Sequence, residues 1–440
     1  MPLGFSAIPR ARDRGRFFAE PFAFLAETRR EAGNLFVLPG GAVFSRAKDV
    51  NGVVCAFGEE FQREILTQMD SYAMPESAAR IWALPETLVN LNRGLHSLTG
   101  PEHNTQKKLL AQALPVVPAG GFLDQGWEHG ASFGVLAEMR ARMLDQAGRA
   151  LFGSEYGPRL GKLVNAFFQF RREATAPGQA ANQATADALT AQGEAVDNAL
   201  REYVRNHQAR DGALAGVARL ARDGGALTED QAVGHLNVLF ISSTEPLAVA
   251  LAWTILLLSQ LPGLRSALRR EAEGAPEPEA MPLLHTVVQE SLRLLPPNAF
   301  MVRLTSRPAR LGPFALPERC EVILSPFVSH RDATVFGDPN GFRPERWSSE
   351  TPSPFVYFPF GAGGHGCVGK TLAMRLLKGA LAQMARRYDL VLQGDQEVDW
   401  RLQVQFLPAP DPVVTAYRAE RREGAVGGRL GGPVGRLIDF

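Results

Sequence analysis

An excess of charge of either sign is what this chain lacks first. Its 47 Lys and Arg balance 46 Asp and Glu, for a formal net charge of +1. That excludes the basic bias of a nucleic-acid binder and the global pull toward acidic membranes. Cysteine is scarce: Cys55, Cys320 and Cys367 are odd in number and irregularly spaced, which excludes a disulfide framework and fits a reducing compartment. Long hydrophobic runs are missing too. The longest, "LAVALAWTILLLSQL" at 247–261, has 15 residues, short of a membrane span, and Glu245 and Pro246 before it would be costly in lipid. It reads as a buried helix. The N-terminus shows no apolar stretch of signal-peptide or anchor length. The expectation is a cytoplasmic monomer with no nucleic-acid or membrane partner.

What is present is ordinary for a globular protein: 45% apolar and 21% charged residues over 440 positions. The pattern predicts a helix over 17–33 closed by Gly33, then a hairpin over 34–47 around Pro39-Gly40-Gly41. A helix is expected from 100 to 114, and several more follow to about 210. A long helix over 228–260 has Thr228 as N-cap. After Pro296-Pro297, β-type runs alternate with turns, and a last amphipathic helix covers 368–387. The Gly/Arg-rich stretch 418–440 is expected to be a loosely ordered tail behind a single domain, 1–417.

The densest chemical signal is "FGAGGHGCVG" at 360–369. A cysteine just before a helix lies near free backbone N–H groups and the positive end of the dipole, which favours thiolate. Glycines let the backbone approach a flat partner. With no second cysteine nearby, a zinc or iron–sulfur site is disfavoured, whereas one axial ligand to haem iron needs one thiolate. A free buried cysteine beside a turn is the plain alternative.

Phe360, Gly361, Gly363, His365, Cys367 and Gly369 together resemble the cysteine-ligand loop of the cytochrome P-450 superfamily, in the form of its soluble bacterial members. The resemblance implies a mainly α fold with minor β: a triangular helical prism with small sheets and haem b between distal and proximal helices. It makes Cys367 the iron ligand and sets Phe360 beside the sulfur. It also implies propionate contacts from His365, from His103 and Lys107 in "GPEHNTQKK", and from Arg303 in "FMVRLTS". Two further motifs occur in the family's order. "ESLR" supplies Glu290 and Arg293, three apart on one helical face. "FRPERW" supplies Arg346, which completes a structural ion-pair network in the family.

The distal motif departs from the family pattern. Ser242-Ser243-Thr244-Glu245-Pro246 stands where most members carry a Gly-rich turn, an acid and a threonine, so the acid survives as Glu245 and Pro246 replaces the threonine. Proline has neither a hydroxyl nor an N–H. It keeps a local kink but deletes the group that would hold a water for proton delivery, leaving Ser242, Ser243 or Glu245 for that work. The leading expectation is monooxygenation of a small lipophilic molecule, in the setting of secondary metabolism. The alternatives are a peroxide-using or redox-neutral member, or a haem-binding sensor or recruitment module without turnover. Glu245 in this place would repel a carboxylate, which speaks against a fatty-acid peroxygenase.

By analogy with the family, the substrate pocket includes Asn237, Phe240, Ile241, Phe300, Met301 and Phe406, along with parts of 75–98 and 160–195. Electrons for an oxygenase would come from a separate ferredoxin or flavodoxin. Such an acidic carrier would meet a basic face made by Lys107, Lys108, Lys370, Arg375 and Lys378.

Overall fold

The computed structural model describes residues 2–45, 49–75, 85–114, 121–174, 182–206, 211–421 and 427–440. At the centre lies the helix Glu245–Ser259. It is apolar on every side, so it can be stable only where every side is covered. Residues Leu247 to Leu257 are all buried, and Trp253 donates its indole N–H to the Phe406 carbonyl at 2.9 Å. The helices Val135–Ala174, Pro262–Gly274, Pro282–Leu294 and Lys370–Arg387 pack around it. The stretch Glu229–Ser259 is apolar and long enough to cross a membrane by composition, but 72% of its most apolar window is buried inside the fold.

The main sheet has five strands in the order Leu35–Val37, Val53–Ala56, Glu321–Leu324, Met301–Thr305, Tyr72–Ala73. Val54 faces Val322 in parallel register, and Arg303 faces Val322 in antiparallel register. This sheet joins segments from the first and last thirds of the chain and delivers Met301 and Arg303 toward the cysteine loop.

Several local expectations need correction. The helix over 17–33 is two helices, Arg14–Ala19 and Pro21–Ala32, because Pro21 has no N–H to continue the first. Gly33 does close the second, at φ 90°. The hairpin over 34–47 does not form, and Leu35–Val37 pairs with Val53–Ala56 instead. The N–H groups of Val43, Phe44 and Ser45 all donate to the buried carboxylate of Glu321 at 3.0 Å, so they are not available for a ladder. The helix over 228–260 is broken into Glu229–Ser242 and Glu245–Ser259. Its start is as expected: Thr228 and Gln231 form a reciprocal capping box.

The tail is not loose where it is described. Leu430–Gly431 pairs in parallel with Gln396–Glu397, and Val434 and Ile438 are buried. Residues 422–426, 175–181 and 76–84, which belong to the expected tail, lid and pocket segments, lie outside the described residues.

Candidate active site

The helix Lys370–Arg387 begins two residues after Val368, so Cys367 is set just ahead of its N-terminus. The loop before it turns on Gly361 at φ 68° and Gly363 at φ 65°. At Gly363 a Cβ would overlap the Leu66 carbonyl oxygen, so the loop packs this closely on the helix Glu59–Thr67 only because no side chain intervenes. The Cys367 N–H donates to the Phe360 carbonyl at 2.8 Å, which closes the loop. Phe360 packs against the main core.

Cys367 keeps accessible surface, yet burial pushes its thiol up. A side chain that lines a recess shows both properties. The Gly369 N–H, Lys107 and Lys370 act in the opposite direction but are outweighed. The helix terminus does favour thiolate, as the sequence argument has it, but burial of the sulfur counts for more. An ion-binding sulfur here needs the cation itself to hold the negative charge.

Four basic side chains converge beside this loop. The rings of His103 and His365 meet edge to face, with centroids 4.7 Å apart, and the Nε2 atoms of both are buried without a partner. Arg303 is buried, and its one hydrogen bond goes to the carbonyl of its neighbour Val302. Burial pulls its guanidinium down to about 10. Burial first, then Arg303, His103 and Lys107, push His365 down to about 3. No carboxylate pairs with any of the four among the described residues.

Two unpartnered imidazole nitrogens and a buried guanidinium without an anion fit the carboxylates of a haem whose iron faces Cys367. Lys107 departs from expectation. Its ammonium donates to the carbonyls of Gly364 and Gly366, the latter at 2.9 Å, so it braces the cysteine loop rather than standing free for a propionate.

The Glu290 network forms in full. Arg293 and Arg346 donate to Glu290 Oε1 at 2.8 and 3.1 Å, and Arg293 Nε reaches Oε2 at 2.9 Å. Apart from a contact of Arg346 with Glu350 Oε1 at 3.5 Å, the other guanidinium bonds go to main chain. Arg293 reaches the carbonyls of His330, Pro339 and Gly341, and Arg346 those of Gly337 and Asp338. Sequence reasoning missed Trp347, whose indole N–H donates to Glu290 Oε2 at 2.9 Å. Its place directly after Arg346 was the available signal.

On the distal side the helix breaks at Ser243 and Thr244, where the N–H groups turn back to the third residue behind them, Phe240 and Ile241. Pro246 offers no N–H to the Ser242 carbonyl, so the break falls where the ladder loses a donor. The Ser243 hydroxyl donates to the Leu239 carbonyl at 2.8 Å, and that of Thr244 to the Ile241 carbonyl at 3.1 Å. Ser242 is exposed to solvent, and its hydroxyl has no partner among the described residues.

Glu245 is not a free acid. Arg140 grips both its carboxylate oxygens, and Arg172 reaches Oε1 at 3.5 Å. These partners lie 105 and 73 residues away and carried no sequence signal.

The expected pocket residues divide. Phe240 and Phe406 are fully buried core, the first against Phe152 and the second stacked on Trp253. Asn237 is buried, donates to the Leu91 carbonyl at 2.7 Å, and leaves Oδ1 unpartnered. Phe300 belongs to an aromatic cluster with Phe17, Phe22 and Phe44. Ile241 and Met301 keep accessible surface, and the Met301 methyl lies beside Gly361. In the expected basic face, Lys107 is turned inward and Arg375 is paired with Glu279 at 3.1 Å, which leaves Lys108, Lys370 and Lys378.

The family model Cytochrome P450 matches residues 130–414. Cyclooctatin synthase of Streptomyces melanosporofaciens is 31% identical over 48% of this chain and 49% of its own length. The cytochrome P450 monooxygenase pyvB of Aspergillus violaceofuscus is 26% identical over 87% of this chain and 82% of its own. The alignment thus spans about half the length of the first of these relatives, and only 34% of the mouse 25-hydroxyvitamin D-1 alpha hydroxylase. Among solved structures, a cyanobacterial CYP120A1 with retinoic acid bound superposes with a TM-score of 0.75 at 20% identity, covering 95% of this chain and 99% of that one. With that shared architecture, the Cys367 loop, the Glu290 network and a family match over more than half of its length, the chain belongs to the cytochrome P450 family.

Proposed function

We propose that this protein is a haem-thiolate monooxygenase that holds haem b and oxidises a small lipophilic molecule. In this reading it works in the cytoplasm as a monomer, in secondary metabolism, with electrons from a separate ferredoxin or flavodoxin. The observation that carries the reading is the set of Arg303, His103 and His365, cationic or imidazole groups gathered without an anion beside the single cysteine of the loop. Sterol 26-hydroxylase and 25-hydroxyvitamin D-1 alpha hydroxylase, named for lipophilic substrates, are among the relatives and support the substrate class.

Cys367 would ligate the iron, while Arg303, His103 and His365 would take the propionates. Bound there, haem would supply one-electron and dioxygen chemistry that no side chain offers. The protein's own part is to position and to keep water out. The Phe360 carbonyl accepts the Cys367 N–H, and the Lys107 ammonium ties the loop carbonyls. Ser242 is the distal hydroxyl left to hold a water. The test is the carbon monoxide spectrum of the haem-loaded protein. The far-red Soret band of a sulfur ligand is expected in the native chain and lost in Cys367→Ser, and a native protein without it would end the proposal.

A second reading, peroxide-driven or redox-neutral chemistry, draws support from the same break. Pro246 brings no hydroxyl, Ser243 and Thr244 spend their protons on their own helix, and Glu245 is clamped. Turnover with peroxide alone, undiminished by Ser242→Ala, would favour it. Product formed only with reduced carrier and dioxygen would favour the oxygenase.

A further inference from the structure

His330 is fully buried, and neither the propionate contacts nor the Glu290 network uses its imidazole. It directly follows the short helix Pro326–Ser329, and its N–H donates to the Pro326 carbonyl at 2.8 Å, so its backbone is fixed. Both of its acceptors are engaged. The carbonyl takes Arg293 Nη1 at 2.9 Å, and the ring Nε2 takes the Phe358 N–H at 3.0 Å. A ring nitrogen that accepts carries no proton, so the hydrogen-bond pattern assigns the ring proton to Nδ1. Nδ1 itself is buried without a partner. Burial first, then Arg293 and Arg331, pull His330 down to about 3, against the carbonyls of Arg293 and Leu292. The imidazole is therefore neutral near pH 7, and Nε2 stays an acceptor.

Phe358 opens the cysteine loop. Its carbonyl accepts the Gly361 N–H at 2.9 Å, which forms the turn, and the Phe360 carbonyl then accepts the Cys367 N–H at 2.8 Å. From Glu290 through Arg293, His330 and Phe358 to Gly361, each group is bonded to the next at 2.8 to 3.0 Å. The other supports attach elsewhere. Lys107 holds the carbonyls of Gly364 and Gly366 farther along the loop, and the Tyr357 hydroxyl donates to the Gln289 carbonyl at 2.9 Å. Among the described residues, no side chain but that of His330 bonds the main chain of 358–361.

We propose that His330 is a positioning residue of the haem-thiolate site: its imidazole fixes the Phe358 end of the cysteine loop to the Glu290 network, and so holds Cys367 where iron would meet it. Without that acceptor the Phe358 N–H is a buried donor with no partner, which weighs against the native loop by roughly 10- to 100-fold. The inference rests on the haem-thiolate reading, because the loop it positions is the one that would carry the iron ligand.

The experiment uses the full haem-loaded chain as native, His330→Leu and His330→Gln. The carbon monoxide Soret band and the helical circular dichroism are followed through one urea series. In the native chain the two signals are expected to fall together. In His330→Leu the fraction of haem without the far-red band should rise roughly 10- to 100-fold at urea concentrations that leave the helical signal intact. His330→Gln, whose Oε1 can take the Phe358 N–H, should stay within about threefold of native. A residue that served only the general fold would move both signals together. Amide exchange of the native chain gives a second measurement, in which the Phe358 N–H should exchange at least about 100-fold more slowly than an unbonded loop N–H. His330→Leu losing both signals together or neither of them, His330→Gln failing as His330→Leu does, or Phe358 exchanging at the unbonded rate overturns the proposal. Should His330→Leu yield no soluble protein, the Phe358 exchange decides. A native chain without the far-red band overturns the haem-thiolate reading and this inference with it, whereas a native band that persists in His330→Leu overturns the inference alone.

Discussion

Glu290 and Glu245 are both buried glutamates, and each is gripped by two arginines, yet they are built for different work. The arginines of Glu290 are 0% and 4% exposed, and apart from one contact of Arg346 with Glu350 at 3.5 Å their other hydrogen bonds go to main-chain carbonyls. Those of Glu245 are 31% and 21% exposed and bond to nothing else among the described residues. A charge that is also pinned to backbone carbonyls cannot move without dragging the chain, so the first cluster is a structural knot. The second can exchange one partner for water or ligand at modest cost, which suits a site that must admit a substrate. The knot holds up the cysteine side of the molecule and the adjustable clamp lies on the distal side.

That contrast can be broken by substitution. The largest effect is expected from Glu290→Ala, which strands Arg293 as a fully buried charge and should cost about 3–5 kcal/mol. A chemical-denaturation midpoint near the native one would refute the knot. Acid comes next. Burial holds His235, on the distal helix, neutral and down to about 4, with Nε2 paired to Gln106 at 2.6 Å. The unfolded chain binds this proton near pH 6.5 and the folded chain only near 4, so stability is full above about 6.5 and falls as pH drops between the two, by up to roughly 3 kcal/mol. His235→Gln should flatten that acid limb in a pH series of melting curves, and an unchanged limb would remove His235 from the account.

Gly363→Ala would force a side chain into the Leu66 carbonyl at a left-handed backbone position. The expected cost is about 1–3 kcal/mol together with a weakened sulfur-ligand Soret band; a native spectrum and midpoint would show that the loop yields. The smallest effect is expected at Glu245→Gln, about 1 kcal/mol, because its partly exposed arginines can rehydrate. A penalty as large as that of Glu290→Ala would erase the difference between the two clusters.

Much of the cysteine side was legible because its signals are local. The 360–369 loop and the Glu290–Arg293 spacing lie within one turn or one helical face, where residue type and separation dictate geometry. Trp347 was available by the same logic and was passed over. The distal side was legible only in part. Pro246 announced a break, but the clamp on Glu245 depends on Arg140 and Arg172, which reach it only because the helix Val135–Ala174 packs along the helix Glu245–Ser259. Phe240 and Phe406 show the converse error. Their apolar character fitted a pocket wall or a core equally well, and only their neighbours, Phe152 and Trp253, decided for core.

By itself the sequence determined the family signature, the cysteine that would meet iron and the place where the distal helix must break, since each follows from covalent geometry or short-range spacing. The tertiary structure alone decided which charges are spent and which are left over. Lys107 turns to the loop, Glu245 is paired with two arginines and Arg303 is buried with no carboxylate bonded to it among the described residues, because charge balance in a low-dielectric interior depends on distance through space and not along the chain.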